Sequence, residues 1–347
     1  MKIWIVLWTR PEIIKFYSII KLLEKKWIDY FIIDTLQHYD YDMRWVFYDE
    51  LGLWHPKHTL KREYYNNWTR LWGFIAEISN IIEQEKPNTI LIQWDTDSAL
   101  AWALAWYKSW IKVWHVEAWL RSYNREMHEE INRINIDSFA DYLFCPTHSN
   151  CNLITQEWCR WKIVKSWNTI VDILEEFREW PWQTDVNDYI LLTLHRQEIL
   201  KDKNMLKNLL ININRVNENT SWEIIFPIHP WTKSVIKKYW LFHLLDWIKV
   251  VDPLWYKKMI WLISWAKLIM TDSWWIQEEA SILWKKCLIL RNDTERVEVL
   301  VSWWIELYRW DMEMQVENLL KNNIERTHQL WNWQACSFIV NTIIYDN

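Results

Sequence analysis

Apolar and polar positions along this chain switch repeatedly between two periods. Residues 3–8 are a continuous apolar run, as in a strand covered on both faces, and 11–26 carry apolar residues at helical spacing with Pro11 in the first turn. The same alternation gives a strand at 30–34, a helix at 69–85, a strand at 89–93, a helix at 97–109, a strand at 111–116, a helix at 128–140 and a short strand at 142–145. A second series opens with "DYILLTLH" at 188–195 and continues with helix 202–217, strand 223–229, helix 232–239, strand 248–251, helix 256–264, strand 267–272, helix 275–283 and strand 287–290. Strands that alternate with helices imply parallel βαβ units. Residues 171–187 lose their apolar period after the first turns and read as the connection, and the tail 313–345 reads as helical. The expected fold is α/β, with two doubly wound Rossmann-like domains at 1–172 and 188–330, and a C-terminal helix at 331–347 crossing back to the first. Ligands of such sheets bind beyond the carboxyl ends of the strands, so the site is expected in the interdomain cleft.

Composition supports a protein with a sizeable core: 51% of the 347 residues are apolar and 24% charged. The net charge of −5 argues against general nucleic-acid or membrane partners. The opening MKIWIVLW is too short for a signal sequence, and no apolar run approaches the roughly 18 residues of a membrane helix. A cytoplasmic location is expected. The five cysteines form no CxxC pair and the ten histidines no HExxH spacing, so reduced thiols are expected and no metal site is inferred.

Glycine is what changes the picture. The chain has 2 glycines and 33 tryptophans, where ordinary usage of roughly 7% would supply about 24 glycines. Many tryptophans stand at strand exits, turns and helix entries, where glycine belongs: Trp8, Trp94, Trp114, Trp119, Trp167, Trp331 and Trp333. Trp102, Trp106 and Trp110 fall where small residues would let a helix lie close to a sheet. A genome that reads the UGA codon as glycine, translated with a table that reads it as tryptophan, accounts for the pattern. On that reading "TDSWWIQEEA" at 271–280 becomes a serine followed by two open backbone amides at a helix N-terminus, a natural anion site. Indoles are then expected at exposed positions or at positive φ.

Several polar residues fall at predicted strand tips. Arg10 and Lys15 flank the first strand-to-helix turn and suit a phosphate, or else form a solvated surface pair. Asp95 and Glu117 end two successive strands and are candidates for proton transfer; for Asp95 the alternative is a helix N-cap. Glu129 is a weaker candidate, beside a Glu130–Arg133 pair of helical spacing. His195 ends "YILLTLH" and is a proton-transfer candidate, whereas His229 in "FPIHP" reads equally as a turn residue. Ser273, with the backbone at Trp274 and Trp275, forms the anion site. Glu279 follows on the same helix, able to accept two ribose hydroxyls or to face solvent, and Arg296 is a phosphate contact or the partner of a neighbouring glutamate.

With glycine read for tryptophan, the chain resembles the non-hydrolysing UDP-N-acetylglucosamine 2-epimerases. The matching stretches are WTRPEIIK (8–15), LQHYD (36–40), QWDTDSALAWALA (93–105), VWHVEAWLRS (113–122), EEINR (129–133), SWNTIVD (166–172), LTLHR (192–196), FPIHP (226–230), TDSWWIQEEA (271–280), TER (294–296) and WNWQACS (331–337). The resemblance implies a GT-B-like fold, a homodimer and a role in cell-envelope polysaccharide synthesis. It also implies interconversion of UDP-GlcNAc and UDP-ManNAc by elimination of UDP to 2-acetamidoglucal and re-addition, without NAD or metal. It assigns Asp95, Glu117, Glu129 and His195 to catalysis. Arg10, Lys15, Ser273, Trp274, Trp275, Glu279 and Arg296 go to the UDP site. The "HGEQT" pattern that helps form an allosteric site in bacterial relatives is absent from 62–72, although Gln37 and His38 remain. Proline of the family pattern is replaced at His128 and Val297. The alternatives are an epimerase of a modified UDP-sugar of the diacetamido-uronate type, a nucleotide-sugar glycosyltransferase of the same fold, and a non-catalytic UDP-sugar binder.

Overall fold

A computed structural model describes the chain except residues 8–9, 36–40, 61–66, 94, 119–120, 122, 124, 149, 153–161, 179–187, 221, 292–303, 310, 323–333 and 347; at 10, 41–44, 46 and 67–68 only the backbone is described. The chain divides into two compact units, Met1–Ile173 with Gln329–Asn347, and Leu174–His328.

The first unit is built on seven described strands, β1 (Lys2–Leu7), β2 (Asp29–Asp34), β3 (His58–Thr59), β4 (Thr89–Gln93), β5 (Lys112–Val116), β6 (Tyr142–Cys145) and β7 (Lys162–Lys165), in the order β3-β2-β1-β4-β5-β6-β7. All pairings are parallel. β4 is buried along its whole length, the pattern of a central strand with helices on both faces. The second unit repeats the plan with β8 (Tyr189–Thr193), β9 (Glu223–Pro227), β10 (Ile248–Val251), β11 (Leu268–Thr271), β12 (Cys287–Ile289) and β13 (Ile305–Leu307), in the order β10-β9-β8-β11-β12-β13, again all parallel. In each sheet the strand order reverses once, between β1 and β4 and between β8 and β11. These reversals are the crevices where doubly wound sheets take ligands.

The elements missed in the sequence are short or poorly amphipathic. β3, β7 and β13 have two to four residues, and polar letters leave them no apolar run to show. The helix Tyr41–Leu51 has no clean apolar face in its letters. Residues 170–177, read partly as connection, form a helix that buries Ile170, Val171, Ile173, Leu174 and Phe177. The tail holds two described helices, Met312–Lys321 and Ala335–Asp346. The second packs on the helix Arg10–Lys25 of its own unit. Among the described residues no helix is long and apolar enough to cross a membrane.

The tryptophans leave a specific mark on the backbone. Trp27, Trp110, Trp167, Trp240 and Trp284 all lie at φ between 56° and 61°. Three of them end helices with one bonding pattern. Trp27 N–H donates to Glu24 O and Ile28 N–H to Leu23 O, both at 3.1 Å. Trp240 and Leu241 repeat this onto Lys237 and Ile236, and Trp284 and Lys285 onto Ser281 and Ala280. This is the helix C-terminal turn whose left-handed residue is usually glycine. Gly52 occupies the same position after Tyr41–Leu51, at φ 62°, with Leu53 N–H donating to Tyr48 O. A side chain in the left-handed region costs about 1–2 kcal/mol. Five such residues therefore cost about 5–10 kcal/mol, the size of a whole folding free energy.

Other indoles depart from the expected exposure or positive φ and pack together in the core, which counts against the glycine reading at those positions. Trp4, Trp102, Trp106 and Trp114 are fully buried in ordinary backbone geometry, with Trp4 packed 4.8 Å from Trp106, and none of their ring N–H groups has a hydrogen-bond partner among the described residues. Each orphaned donor costs about 1–3 kcal/mol. Trp27 and Trp240 are 95% and 84% exposed, so little packing is lost on shortening them. Trp27→Gly and Trp240→Gly are each expected to raise stability by about 1 kcal/mol, read as a higher denaturant midpoint at unchanged m-value.

Candidate active site

In the first unit the chain leaves β4 and β5 side by side, with Gln93 level with Val116. Asp95 and Glu117 follow at the carboxyl ends, next to the reversal of strand order. Asp95 is not the N-cap of the next helix: Thr96 is, accepting from Ala99 N–H at 3.3 Å. The Asp95 carboxylate instead accepts from Arg133 at 2.9 Å, and Arg133 also reaches Glu130 at 3.0 Å. The Asn132 side chain donates to the Asp95 carbonyl and to Asp97, which also pairs with Arg70 at 2.5 Å. Burial pushes the Asp95 carboxyl up to about 6; the Arg133 guanidinium opposes this, the Glu129 carboxylate adds to it, and His115 opposes it. A carboxyl with that proton affinity exchanges its proton near neutral pH. Glu129 is exposed in the first turn of its helix, close enough to act on Asp95 through its charge.

Glu117 takes a left-handed backbone, φ 57°, strained for a residue with a side chain. Its carboxylate is buried and paired with the Lys15 ammonium, which also reaches Asn168 at 3.4 Å. Lys15 is therefore no solvated surface cation: it is buried and pairs with Glu117. Arg10 begins the helix Arg10–Lys25, at the tip of β1.

In the second unit β8 and β11 are tied at their tips. Thr193 and Thr271 hydroxyls meet at 2.6 Å, and Ser273 N–H donates to the Thr271 hydroxyl at 2.9 Å. His195, two residues past β8, presents a half-exposed imidazole. Ser273 is the N-cap of the helix Trp274–Ile282 and makes no capping bond with its hydroxyl. The first amides of that helix lack intrahelical partners and point at the crevice by construction. The Trp274 and Trp275 rings of that first turn lie 4.1 Å apart, centre to centre. Glu279 is buried rather than solvent-facing and accepts from the Tyr256 hydroxyl at 3.1 Å. His229 caps the helix Pro230–Lys238 through its ring nitrogen, a turn-shaping role.

The geometry thus joins Lys15 with Glu117, Asp95 with Arg133, and Glu279 with Tyr256. Arg296, together with Trp8, Trp94, Trp119, Trp331, Trp333 and the 36–40 stretch, lies outside the described residues. Reading the letters missed Arg133 as the partner of Asp95. It also missed a buried cluster in which Asp137 takes His115 at 2.6 Å and Arg121 at 2.7 Å. Polar residues on a helix that faces the strand tips were the available signal.

Known proteins resemble this chain throughout its length. The family model described as UDP-N-acetylglucosamine 2-epimerase matches residues 21–343. The UDP-N-acetylglucosamine 2-epimerase of Methanocaldococcus jannaschii is 41% identical over 315 residues, 86% of each chain. The UDP-2,3-diacetamido-2,3-dideoxy-D-glucuronate 2-epimerase of Pseudomonas aeruginosa is 34% identical over 309 residues, also 86% of each. A crystal structure of the Methanocaldococcus jannaschii UDP-GlcNAc 2-epimerase with UDP-GlcNAc and UDP superposes with a TM-score of 0.82 at 38% identity, covering 99% of this chain and 100% of that one.

Proposed function

This chain belongs to the UDP-N-acetylglucosamine 2-epimerase family, and we propose that it interconverts UDP-GlcNAc and UDP-ManNAc by inverting C2. The observation that carries the reading is the pair of strand-tip carboxylates, Asp95 and Glu117, one with a proton affinity near neutrality and the other buried against Lys15. The C2 proton passes to the acidic group formed by Asp95, Glu117 and Glu129. The C2–H electron pair becomes the C1–C2 double bond, and the C1–O pair leaves with UDP. Re-addition returns UDP to C1 of the 2-acetamidoglucal while a proton is delivered to the other face of C2. The leaving diphosphate is stabilised by Arg10, Arg296 and the helix-end amides at 274 and 275, with Lys15 holding Glu117 in place. Ser273 and Glu279 hold the nucleotide, and His195 moves a proton at the leaving oxygen.

Deuterium settles the reaction class. Incubation with UDP-GlcNAc in deuterated water is expected to place deuterium at C2 of both sugars, seen as loss of the C2 proton signal. A glycosyltransferase would leave C2 untouched. The diacetamido-uronate reading follows from the Pseudomonas relative; turnover of that sugar in preference to UDP-GlcNAc would favour it. A homodimer, a cytoplasmic location and a product used in cell-envelope polysaccharide belong to the same proposal.

Arg133 offers a second check. Its guanidinium lowers the proton affinity of Asp95 against burial, so Arg133→Gln is expected to move the acid limb of kcat/KM upward from about pH 6. An unchanged limb would remove Asp95 as its source.

The glycine reading belongs to the same proposal: the polypeptide made in its own host carries glycine at the tryptophans of the helix-ending turns and at 274 and 275. Gly52, in the same turn as Trp27, Trp240 and Trp284, supports it.

A further inference from the structure

Asp272 has no role in the scheme above, yet it is fully buried at the tip of β11, beside the histidine. One carboxylate oxygen, Oδ2, is fixed by two backbone donors: His195 N–H and Arg196 N–H, each at 2.7 Å. The other, Oδ1, has no aligned hydrogen-bond donor among the described residues. It lies 3.0 Å from His195 Nδ1. A buried carboxylate oxygen left without a donor loses its hydration with nothing in return. The carboxylate is an acceptor only, so a proton on Nδ1 is what relieves it, and a slight turn of the half-exposed ring aligns the bond.

We propose that Asp272 is the positioning residue for His195: its buried carboxylate holds the imidazole as the Nδ1–H tautomer and leaves Nε2 as the nitrogen that exchanges protons with the nucleotide sugar. The inference rests on the epimerase reading for its kinetic consequence, but not for the tautomer itself. The backbone makes the arrangement rigid. Oδ2 is anchored to the backbone of His195 and Arg196 while Oδ1 addresses the His195 side chain, so carboxylate and imidazole cannot drift independently. Asp272 N–H donates in turn to Thr193 O at 3.3 Å, which ties the dyad to the β8–β11 reversal.

Asp272→Asn tests this cleanly. The amide oxygen can still accept the two backbone N–H groups, so a merely structural role survives the change. The amide nitrogen then faces His195 Nδ1 as a donor and forces the proton to Nε2. Nitrogen-detected NMR of labelled full-length protein at mildly alkaline pH is expected to show Nδ1–H in the parent chain and Nε2–H in Asp272→Asn. The variant is expected to lose about 10²–10⁴-fold in kcat with KM and UDP affinity little changed. In a His195→Asn background, Asp272→Asn should cost almost nothing more. An Nε2–H imidazole in the parent chain, near-native kcat in the variant, or full additivity with His195→Asn would each overturn the proposal. The parent-chain tautomer needs no variant to fold. A parent with Nδ1–H but no turnover of UDP-GlcNAc would uphold the dyad and fault the epimerase reading instead.

Discussion

Protein made with indole side chains at 274 and 275 is expected to bind UDP about 100-fold more weakly than the same chain carrying Trp274→Gly and Trp275→Gly. A phosphate at a helix N-terminus takes charge-assisted bonds from the first free amides, each worth about 1.5–3 kcal/mol. Losing two of them costs at least about 3 kcal/mol, or roughly two powers of ten in affinity. Here Ser273 caps the helix and two bulky side chains, their rings 4.1 Å apart, occupy its first turn, where an anion needs small side chains to reach the backbone. Calorimetric titration of UDP into both chains decides it. Equal affinities would mean that the diphosphate lies elsewhere. The companion measurement is the intact mass of the protein from its own host, expected well below the 43.3 kDa of the all-tryptophan chain. A mass equal to that figure would end the glycine reading.

The second large effect concerns Asp95. Asp95→Asn is expected to reduce epimerisation by about 10²–10⁴-fold, the usual worth of a positioned acid or base. UDP affinity should stay close to that of the parent, because Asp95 stands on the first unit's sheet while the amides proposed for the nucleotide belong to the second. The pH dependence has a definite sign. Burial raises the carboxyl to about 6, so below that pH it is protonated and cannot take the C2 proton. Activity of the parent chain therefore rises with pH through about 6, and the residual activity of Asp95→Asn should lack that limb. Comparable turnover in the two chains, or a limb retained in the variant, would assign the proton step to another group.

How much of this was legible in the letters depends on length of pattern. The long buried strands and amphipathic helices announced both sheets, since a period needs several residues to show. β3 (HT), β7 (KIVK) and β13 (IEL) were invisible because they are short and also interrupted by polar letters, whereas β6 (YLFC) and β12 (CLI), no longer, show as apolar runs. The strand-tip residues Asp95, Glu117 and His195 could be picked out because they interrupt apolar runs. Their partners could not. Arg133, Lys15 and Asp272 meet them across the fold, at sequence distances of 38, 102 and 77 residues. Burial of Lys15 and Glu279 also escaped the letters, because whether a charged residue is solvated depends on what packs over it. The tryptophan anomaly ran the other way: composition raised it, and backbone geometry at Trp27, Trp240 and Trp284 gave it a physical location.

The Lys15–Glu117 pair has a consequence for how such a chain can change. Both ends are sealed from solvent, and removing one partner of a sealed pair strands the other charge at a cost of about 3–5 kcal/mol. A single substitution at either place is thus a step into a valley, while a joint neutral replacement restores most of the lost ground. Drift at the two positions is locked together, so a descendant that abandoned the chemistry would be expected to shed both residues or neither.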